Sequence, residues 1–202
     1  MSIKEKIYSF IARRQPQREA KWPHWESVKH VLVLYESDLV EKNPAIRTIR
    51  TELQKHHIDA VFWGYVPKKE VQSAVLPQSR IVGMKDFTFL GYPRKELVQD
   101  LQQQEYDLVI DLNQSNTLPL RYLCLLADAG FKSGMAPMEV RSPGRTIENT
   151  EKAVGQQSGR TAERSETIKS PCDLQIKTQP QETPEFLFQQ ILHYLTNIQS
   201  ND

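Results

Sequence analysis

Along the middle of the chain, short runs dense in β-branched residues alternate with segments whose apolar positions recur every three or four residues. That alternation predicts a parallel sheet covered by helices. The first run, VKHVLVLYE, is apolar almost without a break from Val28 to Leu34, as in a central strand buried on both faces. Asn43 and Pro44 then mark a helix start, because Asn caps free N–H groups and Pro fits the first helical position. Ile46, Ile49 and Leu53 form the buried stripe of a helix over about residues 45–57. IDAVFWGY (58–65) reads as a second strand, KKEVQSAV as a short helix and SRIVGM as a third strand over about 80–84.

The pattern continues with a helix over about 94–104, its apolar face made by Leu97, Val98 and Leu101, which leads into the strand YDLVIDL at 106–112. The polar loop NQSNT precedes LPLRYLCLLADAG, a largely apolar helix for which Gly130 is the expected left-handed cap. FKSGM is a short fifth strand, and CDLQIKT holds a sixth near 174–177, at an edge of the sheet. A last helix from about Pro184 to Ile198 carries Phe186, Leu187, Ile191, Leu192, Leu195 and Ile198 as its buried stripe.

Two segments stand outside this alternation. Residues 1–25 are expected to form a basic amphipathic helix with Ile3, Ile7, Phe10 and Ile11 on one face, followed by Trp22 and Trp25. Its basic residues are offset by Glu5 and Glu19, so packing on the domain or on a partner is favoured over an RNA or anionic lipid surface. From 140 to 170 the sequence is polar, with apolar residues too sparse to offset ordering entropy, which predicts a disordered insertion. The expected organisation is therefore an N-terminal helix (1–25), a core (26–139), the insertion (140–170) and a closing strand and helix (171–199).

Composition narrows the function classes. The 26 Lys and Arg residues balance 25 Asp and Glu, so no global field exists to hold a nucleic acid or anionic membrane. No apolar run approaches the roughly 18 residues of a membrane span, and the N-terminus lacks a secretory signal pattern. Two cysteines form no disulfide framework, so the expected setting is the cytoplasm.

In an open parallel sheet, ligands bind beyond the carboxyl ends of the strands, which singles out a few loops. They are Glu36-Ser37-Asp38, Gly64-Tyr65, Asp111 with the following Asn113-Gln114-Ser115-Asn116, and Gly134-Met135. None has the glycine spacing that lets a pyrophosphate approach the backbone, and no glycine precedes Gly64, so no nucleotide cofactor is expected. Asp111, Asn113, Ser115 and Asn116 are the candidate ligand-binding residues, since an acid and amides at a strand end can bind hydroxyls. The competing reading makes them turn and capping residues. Asp38 and Asp111 are the candidate acid or base groups. Arg121 and Lys132 could meet a phosphate but read more simply as solvated charges. The five histidines lack metal-ligand spacing, and Cys124 reads as a core residue and Cys172 as an unpaired thiol at a strand start, so no metal site is expected.

The stretch FLGYPRKELVQDLQQQEYDLVIDLNQSNTLPLRYLCLLADAGFKSGM, with the ending CDLQIKTQPQETPEFLFQQILHYLTNIQ, resembles a family of small uncharacterised bacterial α/β proteins. That resemblance implies a Rossmann-like fold and brings no activity. A remoter one is to the N-terminal domain of heptosyltransferase-type glycosyltransferases, through HVLVLYE with its acidic loop and Pro-initiated helix, and through YDLVIDL with its polar loop and FKSG-like strand. It implies that Asp38 matches the acidic loop residue facing the acceptor, although the glycine before that aspartate is missing here. In such enzymes the donor binds mainly in a second domain, which this sequence does not contain, so a complete transferase is not expected.

Together these features predict a three-layer α/β/α Rossmann-like domain with a mostly parallel sheet of five or six strands. The expected function is a noncatalytic module binding a small polar or phosphorylated ligand or a protein partner. The alternative is an enzyme acting on a sugar or nucleotide.

Overall fold

The computed structural model describes residues 2–16, 18–37, 44–68, 79–136, 170–179 and 182–197. Strands β1 (His30–Glu36), β2 (Asp59–Val66), β3 (Ser79–Gly83), β4 (Tyr106–Asp111), β5 (Ala129–Met135) and β6 (Leu174–Ile176) form one sheet in the order β3-β2-β1-β4-β5-β6. Every pairing is parallel. The two most continuously apolar runs therefore lie side by side, with Val31 opposite Leu108 and Leu34 opposite Asp111. The order reverses between β1 and β4, the position at which doubly wound sheets open a crevice.

Strand alternation divides the core into two layers. Val31, Val33, Tyr35, Leu108 and Ile110 pack under α2 (Pro44–Lys55) and α5 (Pro184–Asn197), where Ile49, Leu53, Leu187 and Ile191 complete the cluster. Leu32, Leu34 and Val109 face α3 (Lys95–Leu101) and α4 (Leu118–Leu126) with Leu97, Leu120 and Leu123. The chain is thus a three-layer α/β/α Rossmann-like fold, and α5 belongs to its core. All but the first residue of the predicted short helix KKEVQSAV, the Asn43 cap and all but the last residue of the 140–170 insertion lie outside the described residues.

Three expectations are corrected. Gly130 does not cap α4: the helix ends at Ala127, whose N–H closes on the Leu123 carbonyl, and Gly130 lies within β5. The expected stripe of the N-terminal helix is not what buries it. In α1 (Ile3–Arg14), Ile3 and Phe10 are exposed, and the fully buried residue is Tyr8, which stacks edge-on against Tyr122 at 5.1 Å between ring centres. Arg121 and Lys132 are buried rather than solvated: α1 covers the outer side of α4 and of Arg121, and Lys132 turns its ammonium onto the Cys124 and Leu125 carbonyls at the end of α4. That cover also explains why Leu120 to Cys124 are buried without interruption, so that α4 lacks a solvent face through its middle.

Candidate functional site

At the reversal of the sheet order, the end of β1 and the loop after β4 are tied together by side chains. Glu36 is half-buried, and its Oε2 accepts hydrogen bonds from the Ser115 hydroxyl (2.8 Å) and the Ser115 N–H (3.3 Å). Its Oε1 is buried and has no hydrogen-bond partner among the described residues. Ser115 and Asn116 are exposed, so this carboxylate stands beside a solvent-facing turn. Ser37, the next residue of β1's exit, is buried and donates its N–H to the Tyr65 carbonyl at 2.8 Å. Asp38, one of the candidate acid or base residues, lies outside the described residues.

The turn itself is built by Asn113. Its Oδ1 accepts the Thr117 N–H at 2.7 Å and the Thr117 hydroxyl at 3.1 Å, while its Nδ2 donates to the Thr117 carbonyl at 2.9 Å. Both ends of its amide are therefore occupied in closing the loop and presenting the start of α4. Asn116 completes the turn in the left-handed region, with φ 54°, a conformation that Asn tolerates better than most residues. Gln114 reaches the other way and donates to the Glu182 carbonyl ahead of α5 at 2.6 Å.

Asp111 continues the alternation of Val109, which directs its side chain away from the turn and under α4. It is buried, and its Oδ1 accepts the Asn113 N–H at 3.1 Å. Removal from water pushes its carboxyl up to about 7, while the Asn113 N–H and nearby Arg121 favour its charged form. The carboxylate meets Cys124 of α4 and Cys172, which precedes β6 by two residues; the ligand-type atoms of all three lie within 4.8 Å of one another. The two sulfurs are 3.8 Å apart. The hydrogen bond with Cys124 and the loss of hydration together raise the Cys172 thiol well above its ordinary range. Gly134 makes this approach possible, since a Cβ there would stand 2.9 Å from the Cys172 sulfur and 3.0 Å from the Asp111 Cβ.

Two buried cations border this trio. Arg121 lies over the Tyr8 ring at 4.1 Å and acts electrostatically on Asp111. Lys132 donates from Nζ to the Cys124 and Leu125 carbonyls at 2.7 and 3.1 Å, satisfying the carboxyl end of α4. Burial holds its ammonium below the usual lysine range.

The structure thus brings Ser115 to Glu36, with Asn113 and Asn116 shaping the turn between them, while the Asp111 carboxyl holds the Asn113 N–H from the α4 side of the sheet. Sequence spacing missed the convergence of Asp111, Cys124 and Cys172 because it depends on β6 lying beside β5 and on α4 crossing the end of β4. A cleft of about 900 Å³ reaches this region from outside, between α1 and the approach to β6, with Arg13, Arg18, Lys132, Ser170 and Cys172 in its lining. A second, of about 700 Å³, lies at the opposite ends of the strands beside Trp22, His24 and Asp107.

Comparisons place this architecture among known proteins. No curated protein matches the chain. Its fold is similar to that of the E. coli heptosyltransferase WaaC, solved with ADP, at a TM-score of 0.50 and 16% sequence identity. The match covers 86% of this chain and 48% of that one, so the chain spans about half the length of the enzyme it resembles. The likeness lies in the fold, in agreement with the remoter resemblance carried by HVLVLYE and YDLVIDL. Residues 1–155, which include α1 and the strands up to β5, match a family of unknown function, DUF6913, and the chain belongs to that family.

Proposed function

We propose that this chain is a noncatalytic module that binds a small hydroxyl-rich or phosphorylated ligand where the sheet order reverses. One observation carries this reading: Glu36 is fixed through one oxygen by Ser115, while its other oxygen has no partner among the described residues. A carboxylate oriented in advance loses little freedom on accepting a hydroxyl hydrogen, and β1 holds it rigidly. Ser115 and Asn116 supply exposed polar groups beside it, Asn113 fixes the turn, and Asp111 supports that turn through the Asn113 N–H.

Thermal unfolding of the full chain in the presence of free sugars, sugar phosphates and nucleotides tests the proposal. A ligand at about 100 times its dissociation constant stabilises the folded state by about 2.7 kcal/mol. The expected result is a shift with at least one of these probes that is lost in Glu36→Gln and in Ser115→Ala. A panel that produces no shift with the unmodified chain, or shifts unaffected by both substitutions, would reject it.

The second reading is an enzyme acting on a sugar or nucleotide, favoured by the likeness to one half of a heptosyltransferase solved with ADP. Here Asp38 and Asp111 are the acid or base candidates. Release of nucleotide from nucleotide sugars, abolished by Asp38→Asn, would favour this reading over simple binding.

A further inference from the structure

We propose that Asp111, Cys124 and Cys172 form a zinc site under α4, between the ends of β4 and β5. The end of β4, the helix α4 and the segment before β6 deliver these residues, and all three are buried. Thiolates bound tetrahedrally to zinc at about 2.3 Å place their sulfurs about 3.8 Å apart. The observed separation is 3.8 Å. The carboxylate provides the third donor, with an oxygen within 4.8 Å of both sulfurs, and its Oδ1 holds the Asn113 N–H. Packing of two thiols alone would not account for a carboxyl drawn in beside them, because taking an acid out of water is unfavourable and the Asn113 N–H and Arg121 offset that cost only in part.

The surroundings fit an ion. Gly134 leaves clear the ground between Cys172 and Asp111 that a Cβ would enter. Two thiolates and a carboxylate exceed the charge of a divalent cation by one negative unit, and Arg121 and Lys132 lie close enough to act on Asp111 and on the sulfurs. Paired thiolates favour a borderline-soft ion over magnesium or calcium, which take oxygen donors. Three protein ligands leave a fourth position for water or for the Ser170 hydroxyl, whose oxygen accepts the Cys172 N–H at 3.2 Å. The cleft lined by Lys132, Ser170 and Cys172 gives the ion a path from solvent. On binding, both thiol protons leave to water, together with the carboxyl proton where it is held, and zinc takes their place.

The test uses the full chain, reduced and stripped with a chelator, then titrated with zinc. The expected result is one ion per chain, with two sulfur neighbours at about 2.3 Å in zinc-edge X-ray absorption. Cobalt in place of zinc should give thiolate charge-transfer absorption. Cys124→Ser and Cys172→Ser should each weaken zinc by more than the roughly 10–100-fold that loss of a supporting residue causes. Replacement of the exposed His56 and His57 by Ala should leave binding unchanged. An absorption spectrum with only nitrogen and oxygen neighbours, zinc affinity unaffected by the paired cysteine substitution, or no uptake at all would overturn the assignment. Because the absorption measurement needs only the unmodified chain, it decides the matter even if the cysteine variants do not fold.

Discussion

The guanidinium of Arg121 lies 4.1 Å from the centre of the Tyr8 ring, and Tyr8 in turn meets Tyr122 edge to face. These contacts fasten α1 to α4 through one side chain that is wholly buried while its helical neighbours Ile3 and Phe10 face solvent. Tyr8→Ala should therefore destabilise the fold by about 3–5 kcal/mol, the range for emptying a buried aromatic position. Tyr8→Phe should change stability little, because the buried Tyr8 hydroxyl has no hydrogen-bond partner among the described residues. Urea unfolding at unchanged slope measures both. A loss below about 1 kcal/mol for Tyr8→Ala would mean that α1 is not anchored in this way.

Asn113 makes three hydrogen bonds to Thr117, and these hold Ser115 in reach of Glu36. Asn113→Ala leaves two partly buried donors and an acceptor of Thr117 unpaired and should lower stability by about 1–3 kcal/mol. Asn113→Asp retains the acceptor that faces the Thr117 N–H and should lose less. Equal effects of the two substitutions, read by thermal unfolding, would show that the acceptor oxygen does not govern the turn.

The contrast between this turn and the trio beneath it explains what could be read from the chain. Strands β1 and β4 announce themselves because a strand buried on both faces is apolar through its middle, as Val31–Leu34 and Leu108–Ile110 are, a local property of sequence. Glu36, Asn113 and Ser115 were legible as polar residues at strand ends, though not as partners, since Glu36 and Ser115 meet only when β1 lies against β4. Tyr8 was obscured by a periodicity that made Ile3 and Phe10 look like the buried face. Cys124 and Cys172 carried no local signal of convergence. The sheet order β4-β5-β6 brings them to one place, and no spacing along the chain encodes that order.

Gly134 and Gly130 both lie in β5 and should respond differently to substitution. A Cβ at Gly134 meets the Cys172 sulfur and the Asp111 Cβ and carbonyl oxygen at 2.9–3.0 Å, with backbone among the obstacles. Gly134→Ala should lose about 1–3 kcal/mol through overpacking. At Gly130 the nearest obstacle is the Asp107 carbonyl oxygen at 3.2 Å, so Gly130→Ala should lose less. Denaturation midpoints of the two variants check the ranking, and a reversed order would contradict the packing around Cys172.

Asp111 gives the chain a pH dependence of defined sign when metal is removed by a chelator. Its carboxyl titrates near 7 in the fold against an ordinary value of 3.8, because burial disfavours the charged form. Between those values the folded state holds a proton that the unfolded state has released. Each rise of one pH unit there removes up to about 1.4 kcal/mol of stability, and the interval as a whole amounts to a loss on the order of 4 kcal/mol. This contribution is fully present below about pH 4 and is lost as pH rises through about 7. Asp111→Asn has no proton to lose, so its stability should exceed that of the unmodified chain at pH 8 and approach or fall below it at pH 4. Urea unfolding of both proteins across this range tests the sign; parallel profiles would mean that the carboxyl is hydrated in the fold. Zinc should weaken or reverse the slope for the unmodified chain alone, because an ion held by Asp111 stabilises the charged carboxylate that burial disfavours.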